Sequence, residues 1–377
     1  MFVFYHNEEK MKHVIISDTH SAHCINKSYN YLRKVVKEHS DIDAVVINGD
    51  LLGVFSMKDS CVYKDRWIEK EELLRHLKEG APKFYKQFME TKEVTPKMVM
   101  EYVLERYDWC LDVLKKFSKV KHTIFNMGNH ESPLHFLVLQ EIPFLTGQKP
   151  DVVANVDKKE LKKIFDYFET NLYRMEESHD FKYIRDDVYV MGDTLIMGIP
   201  GESHATIGPD PESRAQEEKT KELIKKAEAK LSEVSNIVIY NHTQGAYEKE
   251  TGNFNTASLS LKKFMEDLPI NIMRRVFVQS HNHWNYTQYL MNGGFSYVMN
   301  NAGLHDGIFN MIAFDMINMQ CFDADPNRET MTELSASMAS TKVSGDEELI
   351  GRYYPDVDFV TKRKEIHQVL NNLNLTI

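Results

Sequence analysis

Cysteine is scarce. Four occur in 377 residues, at Cys24, Cys61, Cys110 and Cys321, and none stand in C-x-x-C spacing. That excludes a disulfide framework and a thiolate zinc site, and it points to a reducing compartment. No apolar run approaches the roughly 18 residues that a membrane helix needs. The first residues, MFVFYHNEEK, lack a basic start followed by an apolar core, so no secretory signal is read there. A soluble, cytoplasmic protein with no membrane partner is the expectation. Positive charge is also in deficit, with a formal net charge of −10. Surfaces that wrap nucleic acid favour a basic footprint, so nucleic acid is not favoured as a partner, although a local basic cleft would still admit it. Internal repeats and low-complexity blocks are absent. What remains is ordinary globular usage, 42% hydrophobic and 27% charged. The length fits one large α/β domain with insertions, or two domains or so.

What is there is organised around Val14-Ile15-Ile16-Ser17-Asp18-Thr19-His20. Apolar residues run up to a Ser, and Asp-Thr-His follows at once. So short a β-branched run reads as a strand buried on both faces. Helical spacing over 26–38 and a second strand over 43–47 complete a βαβ unit, hence two parallel strands side by side. Residues 58–118 then break the rhythm with long helical patterns over 67–78 and 95–117. They read as two or three helices inserted before a third strand at 121–125. A helix over 158–173, strands near 188–190 and 194–199, and a charged helix over 212–232 follow. Strands over 236–240 and 275–279 come next, with a helix at 259–266 between them. Beyond residue 286 the pattern becomes short strands with turns, which look antiparallel. Residues 326–348 are polar and weakly patterned, and read as a linker before a short helix at 362–373.

Five strand ends carry polar, metal-capable residues: Asp18 with His20, Asp50, Asn129 with His130, His242, and His281 with His283. Each follows a short apolar run, where a parallel strand delivers its C-terminal tip and where open α/β sheets bind ligands. One such end is unremarkable, since an Asp there is often an N-cap or turn residue and a His is often a satisfied strand-end histidine. Five in one chain are not. Asp, Asn and His offer hard oxygens and intermediate nitrogens, which suits Mn, Fe, Zn, Ni or Co better than Ca. The set is too large for one catalytic ion with open positions, so two ions are the natural reading. Two ions about 3.5–4 Å apart need a shared carboxylate. Asp50 is the candidate, because Gly49 before it lets the backbone turn tightly.

The ordered series Asp18-Thr19-His20, Gly49-Asp50, Gly128-Asn129-His130-Glu131, Asn241-His242 and His281-Asn282-His283 resembles the calcineurin-like metallophosphoesterase superfamily. The resemblance covers residue 12 to about 315. It implies a four-layer α/β/β/α sandwich of two mixed sheets, here with a helical insertion over the active-site edge. It implies one metal on Asp18, His20, Asp50 and His283, and a second on Asp50, Asn129, His242 and His281. His130 would stand beside them as proton donor or charge stabiliser, with Glu131 orienting it or serving as a helix N-terminal acid. Two departures stand out. Ser280 replaces the usual Gly, which is tolerable if that position is not at positive φ. The second motif reads Gly49-Asp50-Leu51-Leu52-Gly53-Val54, with no Arg where the family's protein phosphatases carry an Asp-Arg-Gly soon after their Gly-Asp.

These observations set the expected layout and activity. Residues 1–325 form a metallophosphoesterase domain with a helical insertion over about 54–118 and a second helical segment over about 151–185. Residues 326–377 form a linker and short helical tail. The reaction expected is hydrolysis of a phosphate ester by water activated between two divalent cations. A phosphodiesterase acting on a small or nucleotide-like substrate is favoured, since the phosphatase Arg is missing. The alternatives are a phosphomonoesterase, a nuclease, and a non-catalytic binding module that uses the insertion as its interface. Sequence leaves the oligomeric state open.

Overall fold

The computed structural model describes residues 10–19, 22–52, 70–131, 156–201, 211–242, 258–280, 288–292, 295–299, 309–314, 318–334 and 337–338. The expected strand β1 spans Met11–Ile16, helix α1 spans Ala22–Glu38 and strand β2 spans Ala44–Asn48. Three inserted helices follow: α2 (Lys70–Gly80), α3 (Pro82–Thr91) and α4 (Pro96–Ser118). Their boundaries have local causes. Pro96 opens α4 behind an N-capping Thr95, whose side chain accepts from Met98 N at 3.3 Å. The N-terminus of α3 is capped from a distance, by the Glu105 carboxylate accepting from Lys83 N at 3.0 Å and Phe84 N at 2.8 Å.

Strand β3 (Thr123–Asn126) leads on to helix α5 (Lys158–Ser178) and strands β4 (Phe181–Tyr183), β5 (Asp187–Met191) and β6 (Thr194–Ile199). Helix α6 (Pro211–Glu228), strand β7 (Asn236–Asn241), helix α7 (Leu259–Glu266) and strand β8 (Arg274–Gln279) follow. The chain continues through β9 (Gln288–Asn292), β10 (Phe295–Met299), β11 (Phe309–Phe314), β12 (Met319–Asp325), β13 (Thr330–Leu334) and β14 (Ser337–Met338).

The strands form two seven-stranded mixed sheets, ordered β13-β12-β11-β1-β2-β3-β4 and β14-β9-β10-β8-β7-β6-β5. Alternate residues of each central strand feed two different cores. In β1 and β2, Val14, Ile16, Val45 and Ile47 face the helices, while Ile15, Ala44 and Val46 face the other sheet. In β7, Ile237 and Ile239 face α6 and α7, while Val238 and Tyr240 face inward. This is why the central strands are apolar throughout rather than alternating. The result is the expected α/β fold of two mixed sheets with flanking helices. No described helix is long and apolar enough to cross a membrane.

Two expectations differ from the structure. The late strands do not form one antiparallel run. β10 pairs parallel with β8, while β11 leaves for the other sheet and pairs antiparallel with β1. Residues 326–348 are not simply a linker, because Thr330–Leu334 pairs with β12 and Ser337–Met338 pairs with β9. Both are edge strands, which need no apolar face and are commonly polar, so composition hides them. The tail expected over 362–373 lies outside the described residues.

Candidate metal centre

The parallel strands β1, β2, β3 and β7 end on one edge of the sandwich, and the chain turns sharply there. Asp18 and Asp50 both have left-handed backbones, at φ +49° and +56°. For non-glycine residues that conformation carries strain of about 1–3 kcal/mol each, and it concentrates at functional sites. Gly49, at φ +81°, stands between β2 and Asp50. A Cβ on it would lie 2.5 Å from Gly128 Cα and 2.5 Å from His242 Nδ1. A Cβ on Gly128 would lie 2.2 Å from Asp50 Oδ1. The two turns therefore approach each other through bare backbone.

This close approach brings four of the expected residues together, all buried. His242 Nε2 lies 3.1 Å from Asp50 Oδ2, 3.1 Å from Asn129 Oδ1 and 4.0 Å from Asp18 Oδ1. Asp18, Asp50 and His242 each offer one atom to a group lying within 4.8 Å of one another. Asp50 is held from behind, its Oδ1 accepting from His130 N at 2.9 Å. The His242 ring is oriented by Nδ1, which lies 2.6 Å from the Asn48 carbonyl. A carbonyl only accepts, so Nδ1 carries the hydrogen and Nε2 faces the two oxygens.

That arrangement fits a divalent cation. Ligand atoms about 2.0–2.2 Å from a metal, at angles near 90°, sit about 3 Å apart. The two 3.1 Å separations match an edge of such a polyhedron. An Nδ1–H to carbonyl bond behind a ligating Nε2 is the usual support for a metal histidine. The electrostatics agree. Burial disfavours an imidazolium, but the Asp50 carboxylate beside it, and then Asp18, raise His242 to about 10. The cluster favours a cation at this point, a proton on His242 or a metal in its place.

Glu131 has a place that sequence did not indicate. Its Oε2 accepts from Gly128 N at 2.7 Å and Asp50 N at 2.9 Å, and its Oε1 accepts from Leu52 N at 3.0 Å. The expectation was that it orients His130 or serves as a helix N-terminal acid, yet both oxygens serve the backbone of the two turns. Burial, and then the Asp50 carboxylate, push its carboxyl up to about 7. Sequence reasoning also misses Asn48 and Asn126, and it marks Ser280 only as a departure from Gly. Asn126 Nδ2 donates to Asn48 Oδ1 at 2.8 Å, and Asn48 Nδ2 donates to Ser280 Oγ at 2.7 Å. Ser280 is not among the positive-φ residues, so Ser is tolerated, and its hydroxyl is used. The only sequence signal for these asparagines was an amide ending an apolar run. His130 is buried beside Asp50. His20, His281 and His283 lie outside the described residues.

Comparison with known proteins gives the same architecture a family. The calcineurin-like phosphoesterase family model matches residues 11–284. No curated protein matches the chain. Among solved structures, the chain is similar to GAP50, described as the anchor in the inner membrane complex of Plasmodium. The TM-score is 0.45 at 8% identity, covering 92% of this chain and 95% of that one. It is similar to the sulfate thiohydrolase SoxB of Thermus thermophilus, in complex with glycerol, at TM-score 0.37 and 10% identity, covering 88% and 46%. It is also similar to a phosphatase from Mycoplasma pneumoniae at TM-score 0.31 and 10% identity, covering 86% and 92%. Likenesses this distant carry no argument about activity.

Proposed function

The chain belongs to the calcineurin-like phosphoesterase family, a dinuclear-metal family acting on phosphate esters, and from that premise we propose that it is a phosphodiesterase acting on a small or nucleotide-like substrate. The observation that carries the metal reading is the convergence of Asp50 Oδ2 and Asn129 Oδ1 on His242 Nε2, each at 3.1 Å. Asp18, His20, Asp50 and His283 would hold one cation. Asp50, Asn129, His242 and His281 would hold the other. The mixed oxygen and nitrogen donors suit Mn, Fe, Zn, Ni or Co. When bound, two such cations supply Lewis-acid activation of water and neutralise phosphate charge.

The residues of the chain do the rest. Asp50 would be shared by the two cations, and its Oδ1 is fixed by the His130 N–H while its Oδ2 is turned to His242. Asn48 keeps the His242 ring in the tautomer that leaves Nε2 for a cation. His130 follows Asn129 directly, and a ring nitrogen there delivers the proton to the leaving alkoxide oxygen. The sequence Gly49-Asp50-Leu51-Leu52-Gly53-Val54 supports the diester reading, because it holds no Arg where the family's protein phosphatases carry one soon after their Gly-Asp. A phosphate diester carries one negative charge and a monoester up to two, so a diester needs that extra cation less.

The test is hydrolysis of bis-p-nitrophenyl phosphate against p-nitrophenyl phosphate, with Mn, Ni, Zn or Mg added to stripped protein. Metal-dependent activity on the diester supports the reading. Activity on the monoester alone replaces it with a phosphatase. Two bound metals with no activity on either ester point instead to the non-catalytic alternative.

A further inference from the structure

Holding two ligand atoms 3.1 Å from a third requires their turns to be locked together. Asp50 and Asn129 come from different turns, after β2 and after β3. The lock visible between these turns is Glu131. Its carboxylate collects three backbone N–H groups, two from the first turn (Asp50 and Leu52) and one from the second (Gly128). The turns answer in kind, since the His130 N–H donates to Asp50 Oδ1. Charge-assisted bonds of this kind are about twice as strong as neutral ones, and at 0% exposure water does not compete for them.

Glu131 is itself tied to the helical insertion. Tyr107, buried in the middle of α4, donates its hydroxyl to the Glu131 backbone carbonyl at 2.8 Å. The Tyr107 ring stacks on Phe168 of α5, with centroids 4.3 Å apart and planes at 14°. Its position is therefore fixed by the packing of two helices on the outer face of the first sheet. A hydrophobic lid or partner surface is one use for such an insertion. The contact from Tyr107 gives it another.

We propose that Glu131 is a positioning residue that clamps the two metal-bearing turns in register, and that Tyr107 anchors this clamp to the inserted helix α4. The clamp fixes how far Asn129 stands from Asp50, and so governs metal occupancy rather than the chemistry of any one proton. The inference rests on the metal reading above. Glu131→Gln keeps size and shape but turns one carboxylate oxygen into an N–H donor. Whichever way the amide is placed, a donor then meets a backbone N–H. Tyr107→Phe keeps the ring stack and removes only the hydroxyl.

The experiment titrates Mn(II) into stripped full-length wild type and both variants by calorimetry. Electron paramagnetic resonance of the loaded proteins follows, and circular dichroism checks folding at the assay temperature. Wild type should bind two ions and show an exchange-coupled spectrum. Folded Glu131→Gln should bind Mn(II) about 10–100-fold more weakly, the usual loss for an outer-shell partner, and show isolated-ion signals. Tyr107→Phe should lose about 2–10-fold, the worth of one neutral hydrogen bond. A residue that only stabilised the fold would lower the melting temperature and leave affinities and spectrum unchanged. That result in Glu131→Gln, or in Tyr107→Phe if Glu131→Gln does not fold, overturns the clamp and leaves the metal reading standing. A folded wild type that binds no metal overturns both.

Discussion

His13 and His242 are both fully buried, and their surroundings push them in opposite directions. His13 lies between the sheets, with Nδ1 2.6 Å from the Tyr240 hydroxyl and Phe314 edge-on at 5.8 Å. Burial, with a smaller contribution from His122, drives it down to about 3. His242 sits at the strand tips against Asp50 and Asp18. Those carboxylates outweigh its burial and raise it to about 10. The first ring is an ordinary neutral core histidine. The second is where the molecule concentrates negative charge that only a cation can offset. Burial alone does not mark a metal site, but burial together with unbalanced carboxylates does.

The largest way to break the comparison is to remove the charge that makes His242 different. Asp50→Asn should abolish two-metal binding and reduce hydrolysis of bis-p-nitrophenyl phosphate by more than the about 10–100-fold typical of outer-shell losses. Retained activity in that variant would sink Asp50 as the shared ligand. A second consequence concerns the proton on His242. At about pH 8, loading stripped protein with Mn(II) should release about one proton, since the cation takes the place of the proton on Nε2. Calorimetry in two buffers of different ionisation enthalpy reads this directly. A buffer-independent heat would mean that Nε2 carries no proton for the cation to displace.

The same contrast explains what was legible in the sequence. Asp18, Asp50, Asn129 and His242 were visible because each ends a short apolar run, and strand tips are where the fold gathers side chains. The two outer cores and the inter-sheet core follow from strands apolar at every position. Hydrogen bonds between distant segments left no such mark. Asn48 meets Asn241 and Ser280 across separations of 193 and 232 residues, and nothing in a local window joins them. Strand β12 was hidden by Asp323 and Asp325 on an otherwise apolar alternation, and β4 by its three-residue length. Glu131 was legible as an acid in a motif, but its partners are backbone N–H groups, which no side-chain pattern encodes.

A smaller effect tests the other member of the pair. His13 is neutral when folded, near 3, and titrates near its ordinary 6.5 when unfolded. Its folded value is depressed, so its contribution to stability is present above about pH 6.5 and is lost as pH falls towards 3. His13→Gln offers the Tyr240 hydroxyl a partner that does not titrate. Denaturant melts of wild type and His13→Gln should differ in acid slope over that window by on the order of a few kcal/mol. Metal affinity at pH 8 should be unchanged. Parallel acid slopes would mean that His13 is not the neutral core residue its surroundings indicate.

The smallest effect concerns Ser280, where the family usually has Gly. Its hydroxyl accepts from Asn48 Nδ2 at 2.7 Å, and that same Asn48 holds His242 through its carbonyl at 2.6 Å. The serine therefore supports the His242 end of the comparison at one remove. Ser280→Ala takes away this acceptor and leaves Asn48 Nδ2 only its longer contact to the Asn241 carbonyl at 3.3 Å. Loss of one buried neutral hydrogen bond should weaken Mn(II) binding about 2–10-fold. Ser280→Gly should weaken it at least as much, because it also frees the backbone leading to His281. If both variants bind as tightly as wild type, Asn48 is held well enough by Asn126, and the serine is only tolerated. If both weaken binding while Asp50 and His242 are untouched, the chain has replaced a bare glycine turn with a hydrogen-bonded one, and ring orientation at His242 depends on it.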